Sequence, residues 1–237
     1  MKHFKIDDEF FDLFPDAQIY VLTLKNFDNH VFSDDEESLK QLLKTASEKA
    51  KKHVPLSPLS KNEPIAIWRE AFKEFKTKKG ARCSIEALLK RISKGHVFTP
   101  ILPLVDIYNS ISLEFGVPAG AEDIEKIAGD IHLGLATGGE DFKPLGRDKN
   151  DPALPGEVCY YDKVGAVCRN FNWREAERTM IDKDTDHAIL FIETVYPSQY
   201  EVSEQAAKAL SDRLQSYFNV KPTLNILDKE SPDLLIQ

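Results

Sequence analysis

Positions 168 to 175 read Cys-Arg-Asn-Phe-Asn-Trp-Arg-Glu, directly after the strand-like Gly165-Ala166-Val167. Arg169 and Arg174 supply planar forks of donors, Asn170 and Asn172 supply donors and acceptors, and Trp173 supplies a face for stacking. Such a set suits a planar or anionic ligand. It suits equally well a loop anchored by Phe171 and Trp173 with its arginines in water, and composition does not choose between the two.

Other polar residues sit in apolar surroundings. Glu193 ends the run Ala188-Ile189-Leu190-Phe191-Ile192, and a carboxylate at the end of a buried strand is costly unless paired. Its partner is either an arginine (Arg169, Arg174 or Arg178) or a donor on a ligand. Downstream of Pro103, Leu104, Tyr108, Ile111 and Phe115 recur at helical spacing, while Asp106 and Asn109 share another face. A solvated helix face is the simplest account of that pair.

Several chemistries lack their motifs. The sequence contains no Walker-type phosphate loop, no Gly-x-Gly-x-x-Gly after a strand and no Gly-x-Ser-x-Gly elbow. The six histidines are scattered without zinc-ligand spacing. Cys83, Cys159 and Cys168 are odd in number and read as reduced thiols of a cytoplasmic protein. Arg169 beside Cys168 could activate a nucleophile, but a small core thiol is the simpler role. An enzyme built from these residues would position a substrate and a water, without metal or cofactor.

The elements that must hold these groups follow from periodicity. Residues 17–24 read as a strand, and Ser33 with Glu36 forms a capping box opening a helix striped by Leu39, Leu42, Leu43 and Ala46. Residues 53–64 are a proline-rich connector. Helices are predicted over 65–75, 84–94 and 104–115, the second closed by Gly95 and the third bounded by Pro103 and Gly116. A short helix is expected over 122–127. Strands are expected over 130–136, 157–161, 165–168, 187–195 and 221–227, with a helix over 203–218. Helices first and strands later, without strict alternation, favour an α+β fold with a mainly antiparallel sheet flanked by helices. Without a break long enough for a linker, residues 1–237 read as one domain.

The net charge of −8 over 237 residues argues against a general nucleic-acid binder. Its distribution is uneven: the window from Lys73 to Lys94 carries eight basic residues against Glu74 and Glu86. Such a patch, centred on Lys78, Lys79 and Arg82, is either a solvated face or a local contact for a phosphate backbone. No apolar run approaches membrane-spanning length.

The order of several short motifs then resembles a known family. Leu104-Val105-Asp106-Ile107-Tyr108-Asn109, Leu113-Glu114-Phe115-Gly116-Val117-Pro118 and Ile127-Ala128-Gly129 are similar, in that order, to the editing (B3/B4) domain of the phenylalanyl-tRNA synthetase β subunit. Ala136, Gly139-Glu140 and the strand ending in Glu193 extend the likeness, giving a family-like core over about residues 95 to 195. Trp68-Arg69, Lys78-Lys79-Gly80, the segment from Arg82 to Glu86 and the stretch from Cys168 to Glu175 are similar to free-standing proteins that carry this domain.

The resemblance implies a hydrolase that removes a wrongly attached amino acid, chiefly tyrosine, from the acceptor end of tRNA. It implies no metal, no DNA and no membrane, and a chain that does not charge tRNA by itself. Asn109, Asn172 and Glu193 would be catalytic. Asp106, Arg169, Trp173, Arg174 and Arg178 would hold the substrate, and Lys78, Lys79 and Arg82 the tRNA. Glu193 falls on the family position that reads the tyrosine phenol. Gly120 stands where the family carries a histidine two residues past the proline, and residues 169–174 stand where its loop is rich in glycine. The pocket should therefore be smaller or differently shaped, which leaves the amino acid open. A non-catalytic module for tRNA ends, an amino acid or a nucleotide, and a hydrolase of small esters, are the competing readings.

Overall fold

The computed structural model describes residues 1–31 and 35–237. Its strands are β1 (His3–Ile6), β2 (Gln18–Lys25), β3 (Ala119–Asp123), β4 (Ile131–Leu135), β5 (Val158–Tyr161), β6 (Ala166–Arg169), β7 (Arg174–Glu175), β8 (His187–Thr194), β9 (Thr223–Leu227) and β10 (Asp233–Leu235). Its helices are α1 (Asp8–Leu13), α2 (Glu36–Ala50), α3 (Glu63–Ala71), α4 (Ser84–Ser93), α5 (Pro103–Phe115) and α6 (Tyr200–Phe218).

The α+β class holds, with two sheets in place of one. One is antiparallel, in the order β3-β8-β2-β9. The other runs β10-β1-β4-β5-β6-β7 and is mixed, because β1 and β4 are parallel. Strand β8 shows how they are layered. Every residue from His187 to Thr194 is buried, as expected of a strand covered on both faces. Ala188, Leu190 and Ile192 pack in a cluster with Leu104, Ile107 and Ile111 of α5 and Leu210 and Leu214 of α6. Ile189 and Phe191 pack on the opposite face in a cluster with Phe4, Tyr160 and Val167 of the second sheet. Side chains two apart share a face, so Glu193 points with Ile189 and Phe191 into the space between the sheets.

Strand β3 obeys the same rule. Gly120 lies opposite Phe191 and Glu122 opposite Ile189, which puts both on the inter-sheet face. The short helix expected over 122–127 is instead the end of β3 and a 3₁₀ turn, Ile124–Lys126. Pairing with β8 overrides the local preference, and Asp123 caps the turn by accepting from the Glu125 N–H at 3.0 Å. The capping box of Ser33 lies outside the described residues; α2 begins at Glu36. Helix α5 runs between Pro103 at its start and Gly116 with φ of 73° at its end. A Cβ on Gly116 would meet the His53 ring at 2.9 Å, so both its backbone angle and its surroundings require glycine. Among the described residues no helix is long and apolar enough to cross a membrane.

Candidate functional site

Strand β3 is the edge of one sheet and β7 the edge of the other. Between them, roofed by α4 and α5, lies a cavity of about 470 Å³. Its inner wall carries Tyr108, Glu122, Tyr160, Phe191 and Glu193, and its lining also includes Leu88, Arg91, Asn109, Gly120, Asn172, Trp173, Arg174 and Glu175. The Arg174 guanidinium stacks over the Trp173 ring at 4.9 Å from its centroid, pairing a cation with an aromatic face.

The wall formed by Asn172 to Glu175 is aimed by an uncommon turn. Asn170 and Phe171 both adopt positive φ, 49° and 64°, a region that non-glycine residues rarely enter. Two things hold them there. Phe171 is fully buried and packs edge-on against Trp68 and Phe10, at 5.3 and 5.4 Å between centroids. Glu157, also fully buried, accepts from Asn170 N at 2.8 Å, from Asn170 Nδ2 at 2.7 Å and from Arg169 Nε and Nη2 at 2.8 and 2.6 Å. The Asn170 side chain in turn accepts from Lys78 N at 2.9 Å. The Asn172 carbonyl accepts from Ser84 N at 3.1 Å, joining the turn to the start of α4.

Three carboxyl groups share the cavity. Glu193 Oε1 accepts from the Tyr160 hydroxyl at 3.1 Å, and Oε2 takes a long contact of 3.4 Å from Asn172 Nδ2. Burial raises Glu193 to about 7 against the pull of these two bonds. Glu175, half-buried on β7, is likewise raised to about 7 by burial. Glu122 is pushed well up, first by burial and next by the charge of Glu175. Burial and then Glu193 push the Tyr160 phenol well up, so it stays a donor. Burial likewise pushes the Cys168 thiol well up, and it lines the cavity as an inert thiol.

A model of the B3/4 domain matches residues 67–222. The chain belongs to the B3/4 domain family. Among related proteins, the phenylalanine–tRNA ligase β subunit of Mycoplasma genitalium is 27% identical over 134 residues, which is 56% of this chain and 16% of that protein. A crystal structure of an N-terminal fragment of the phenylalanyl-tRNA synthetase β subunit from Pyrococcus horikoshii matches 92% of this chain and 49% of that one, with 13% identity and a TM-score of 0.49. The chain thus spans less than half the length of either relative.

Within this B3/4 chain, Asn109, Asn172, Trp173, Arg174 and Glu193 converge on the one cavity. The other predicted site residues lie elsewhere. Arg169 does not reach the cavity: it is fully buried, its fork is engaged by Glu157, and Nη1 donates to the Asp151 carbonyl. Arg178 is held by Asp162, at 2.7 and 2.6 Å. Asp106 turns away from the cavity, accepts from Ile101 N at 3.1 and 3.0 Å and is raised to about 6 by burial. Glu193 is partnered not by an arginine but by Tyr160 and Asn172. Lys78 pairs with Asp151. Lys79 is exposed, and Arg82 borders a second cavity with Lys73 and Lys90 on the other side of α4.

Glu122, Glu175, Tyr108 and Tyr160 are cavity residues that sequence reasoning missed. Glu175 closes the very stretch singled out for its chemistry. A helix over 122–127 hides the parity of Glu122 with Glu193 across β3 and β8.

Proposed function

We propose that this protein is a trans-acting aminoacyl-tRNA hydrolase that works by positioning substrate and water. Water adds to the ester carbonyl carbon, the bond from that carbon to the ribose oxygen breaks, and the ribose oxygen leaves as a hydroxyl with a proton from the water. The products are free amino acid and tRNA. The observation that carries the reading is the convergence of Asn109, Asn172, Trp173, Arg174 and Glu193 on one cavity.

Each group has a part. Trp173 and Arg174 offer the terminal nucleotide a stacking face and a cation. Asn109 orients the ester. Asn172 and Glu193 hold the water, and a carboxyl raised to about 7 is matched to taking its proton near neutral pH. Arg82 and Lys90 border the second cavity on the far side of α4, and with the exposed Lys79 they would meet an acceptor arm that crosses this helix. Incubation with a panel of mischarged tRNAs tests the reading: the expected result is faster release of at least one amino acid than in buffer, and loss of that rate in Asn172→Ala and Glu193→Ala.

A second reading rests on Gly120, which lines the cavity without a side chain where the family carries a histidine. Under it the protein holds aminoacyl ends without turnover. Tight binding of charged tRNA with no release of amino acid from any member of the panel would select it over hydrolysis.

A further inference from the structure

The fold does not hold all its buried carboxylates alike. Glu86, Glu157 and Asp162 are buried, and each is clamped by an arginine fork: Arg69 at 2.7 and 3.0 Å, Arg169 at 2.6 and 2.8 Å, and Arg178 at 2.6 and 2.7 Å. Bidentate pairing of this kind is the ordinary way to keep a carboxylate out of water. The buried Glu122 and Glu193 and the half-buried Glu175 depart from it. Among the described residues no lysine, arginine or histidine nitrogen forms an ion pair with any of the three. Arg91 and Arg174 line the same cavity without closing on them.

A second observation is independent of the carboxyls. Asn172 is 8% exposed and lines the cavity, and its Oδ1 makes no hydrogen bond among the described residues. A buried acceptor without a donor costs about 1–3 kcal/mol. The three carboxyls and Asn172 Oδ1 offer acceptors and negative charge, and neither Arg91 nor Arg174 is bonded to them. A protonated primary amine complements both, with three N–H donors on one cation. A single metal ion is a poorer match, because no three His, Cys, Asp or Glu side chains among the described residues are grouped to hold one.

We propose that the inner wall of this cavity is an ammonium site, in which Glu122 and Glu175 supply the charge and Asn172 Oδ1 a hydrogen-bond acceptor for a primary amine on the ligand. The site sits between the sheets, next to the carboxyl of Glu193 that Tyr160 already occupies through one oxygen. Without a cation beside them, a proton is retained at Glu122 and Glu175, because burial raises both and the charge of Glu175 raises Glu122 further. The ammonium displaces that proton. The amine is the α-ammonium of the aminoacyl group or an ammonium on its side chain. This rests on the hydrolase reading only for the identity of the ligand; the ammonium site itself is a matter of binding.

The test uses four small amides and the full chain at pH 7, where an α-amine is mostly protonated, in phosphate buffer free of amines. L-Alaninamide carries only an α-ammonium, and propionamide is its neutral counterpart. 5-Aminopentanamide carries only a distal ammonium, and pentanamide is its neutral counterpart. Binding is followed at the Trp173 indole N–H by NMR. We expect at least one ammonium amide to bind about tenfold or more tighter than its neutral partner, and that preference to vanish in Glu122→Gln and Glu175→Gln. Which amide wins identifies the source of the amine. Equal binding of charged and neutral amides, failure of both ammonium amides to bind, or a preference that survives both substitutions overturns the proposal. The wild-type series does so even where a variant fails to fold. Amine preference without release of amino acid from any charged tRNA keeps the ammonium site and removes the hydrolase. Release without amine preference does the reverse.

Discussion

The hydroxyl of Tyr160 donates to Glu193 at 3.1 Å, wholly inside the protein. Tyr160 stands on β5 of the mixed sheet and Glu193 at the end of β8 in the antiparallel one, with the Phe191 ring 4.8 Å from the Tyr160 ring between them. The chain therefore presents its own phenol to the glutamate at the position that, by the family resemblance, would read the phenol of a tyrosyl ester.

Tyr160→Phe should expose this arrangement. It leaves Glu193 Oε1 without a donor, and a buried carboxyl that loses its partner costs about 1–3 kcal/mol. It also frees that oxygen for a ligand. The wild type should bind tyrosinamide no better than phenylalaninamide, and the variant should prefer tyrosinamide by about tenfold. Titration of both amides checks this, and a wild-type preference for tyrosinamide would contradict it.

Glu193 makes stability depend on pH in a known direction. Its carboxyl is raised from 4.5 to about 7 in the fold, so the folded state binds the proton more tightly than the unfolded one. The contribution is fully present below about pH 4.5 and is lost as pH rises through about 7. At about 1.4 kcal/mol per pH unit, the window is worth roughly 3 kcal/mol. Glu193→Gln keeps an acceptor for Tyr160 and has no charge to bury. Relative to wild type it should gain stability between pH 4.5 and 8, by up to that amount, in denaturant titrations run across the range. A constant difference would show that Glu193 is ionised in the fold at all these values.

Arg169 should prove structural. Glu157→Gln removes the charge that its fully buried guanidinium faces, and stripping one partner from a buried pair costs about 3–5 kcal/mol. Arg169→Lys should recover little, because one ammonium cannot replace a fork that also supports the Asn170 turn. Thermal unfolding reads both. A loss of deacylation or binding in Arg169→Ala at unchanged stability would instead return Arg169 to the site.

Gly120→His should fold. A Cβ at this position meets nothing nearer than Glu175 Oε1, at 3.6 Å, which is ordinary contact. The new imidazole would enter the cavity beside the Glu122–Glu175 pair, whose charge should raise its pKa above that of free histidine. Proton NMR of the ring reads the direction. Under the second reading of function, the same variant is the place to look for turnover that the wild type lacks.

Lys79 and Arg82 should act through phosphate contacts alone. Replacing either by alanine should leave stability within about 0.5 kcal/mol and lower the salt slope of tRNA binding by about one per cation. Lys78→Ala should behave differently, since Lys78 pairs with Asp151 and its backbone N–H is bound by Asn170. Its effect should fall on the shape of the turn. Binding measured at several salt concentrations separates the two.

The sequence by itself determined what periodicity and order can carry. β8 was legible as an unbroken apolar run, α5 as a stripe between Pro103 and Gly116, and the family as a succession of short motifs spread along the chain. It also marked the stretch from Cys168 to Glu175 as chemistry-bearing. It could not divide that stretch, because the direction of each side chain is set by two left-handed residues held by Glu157, which is twelve or more positions away. Arg169 and Arg174 look alike in sequence; the turn sends one to a buried carboxylate and the other to the cavity. Nor could sequence bring Glu122, Glu175 and Glu193 together. They come from three strands in two sheets, and only the pairing of β3 with β8 and of β7 with β6 fixes which face each one takes. Strand parity flips with a one-residue change of register, so that choice belongs to the tertiary structure.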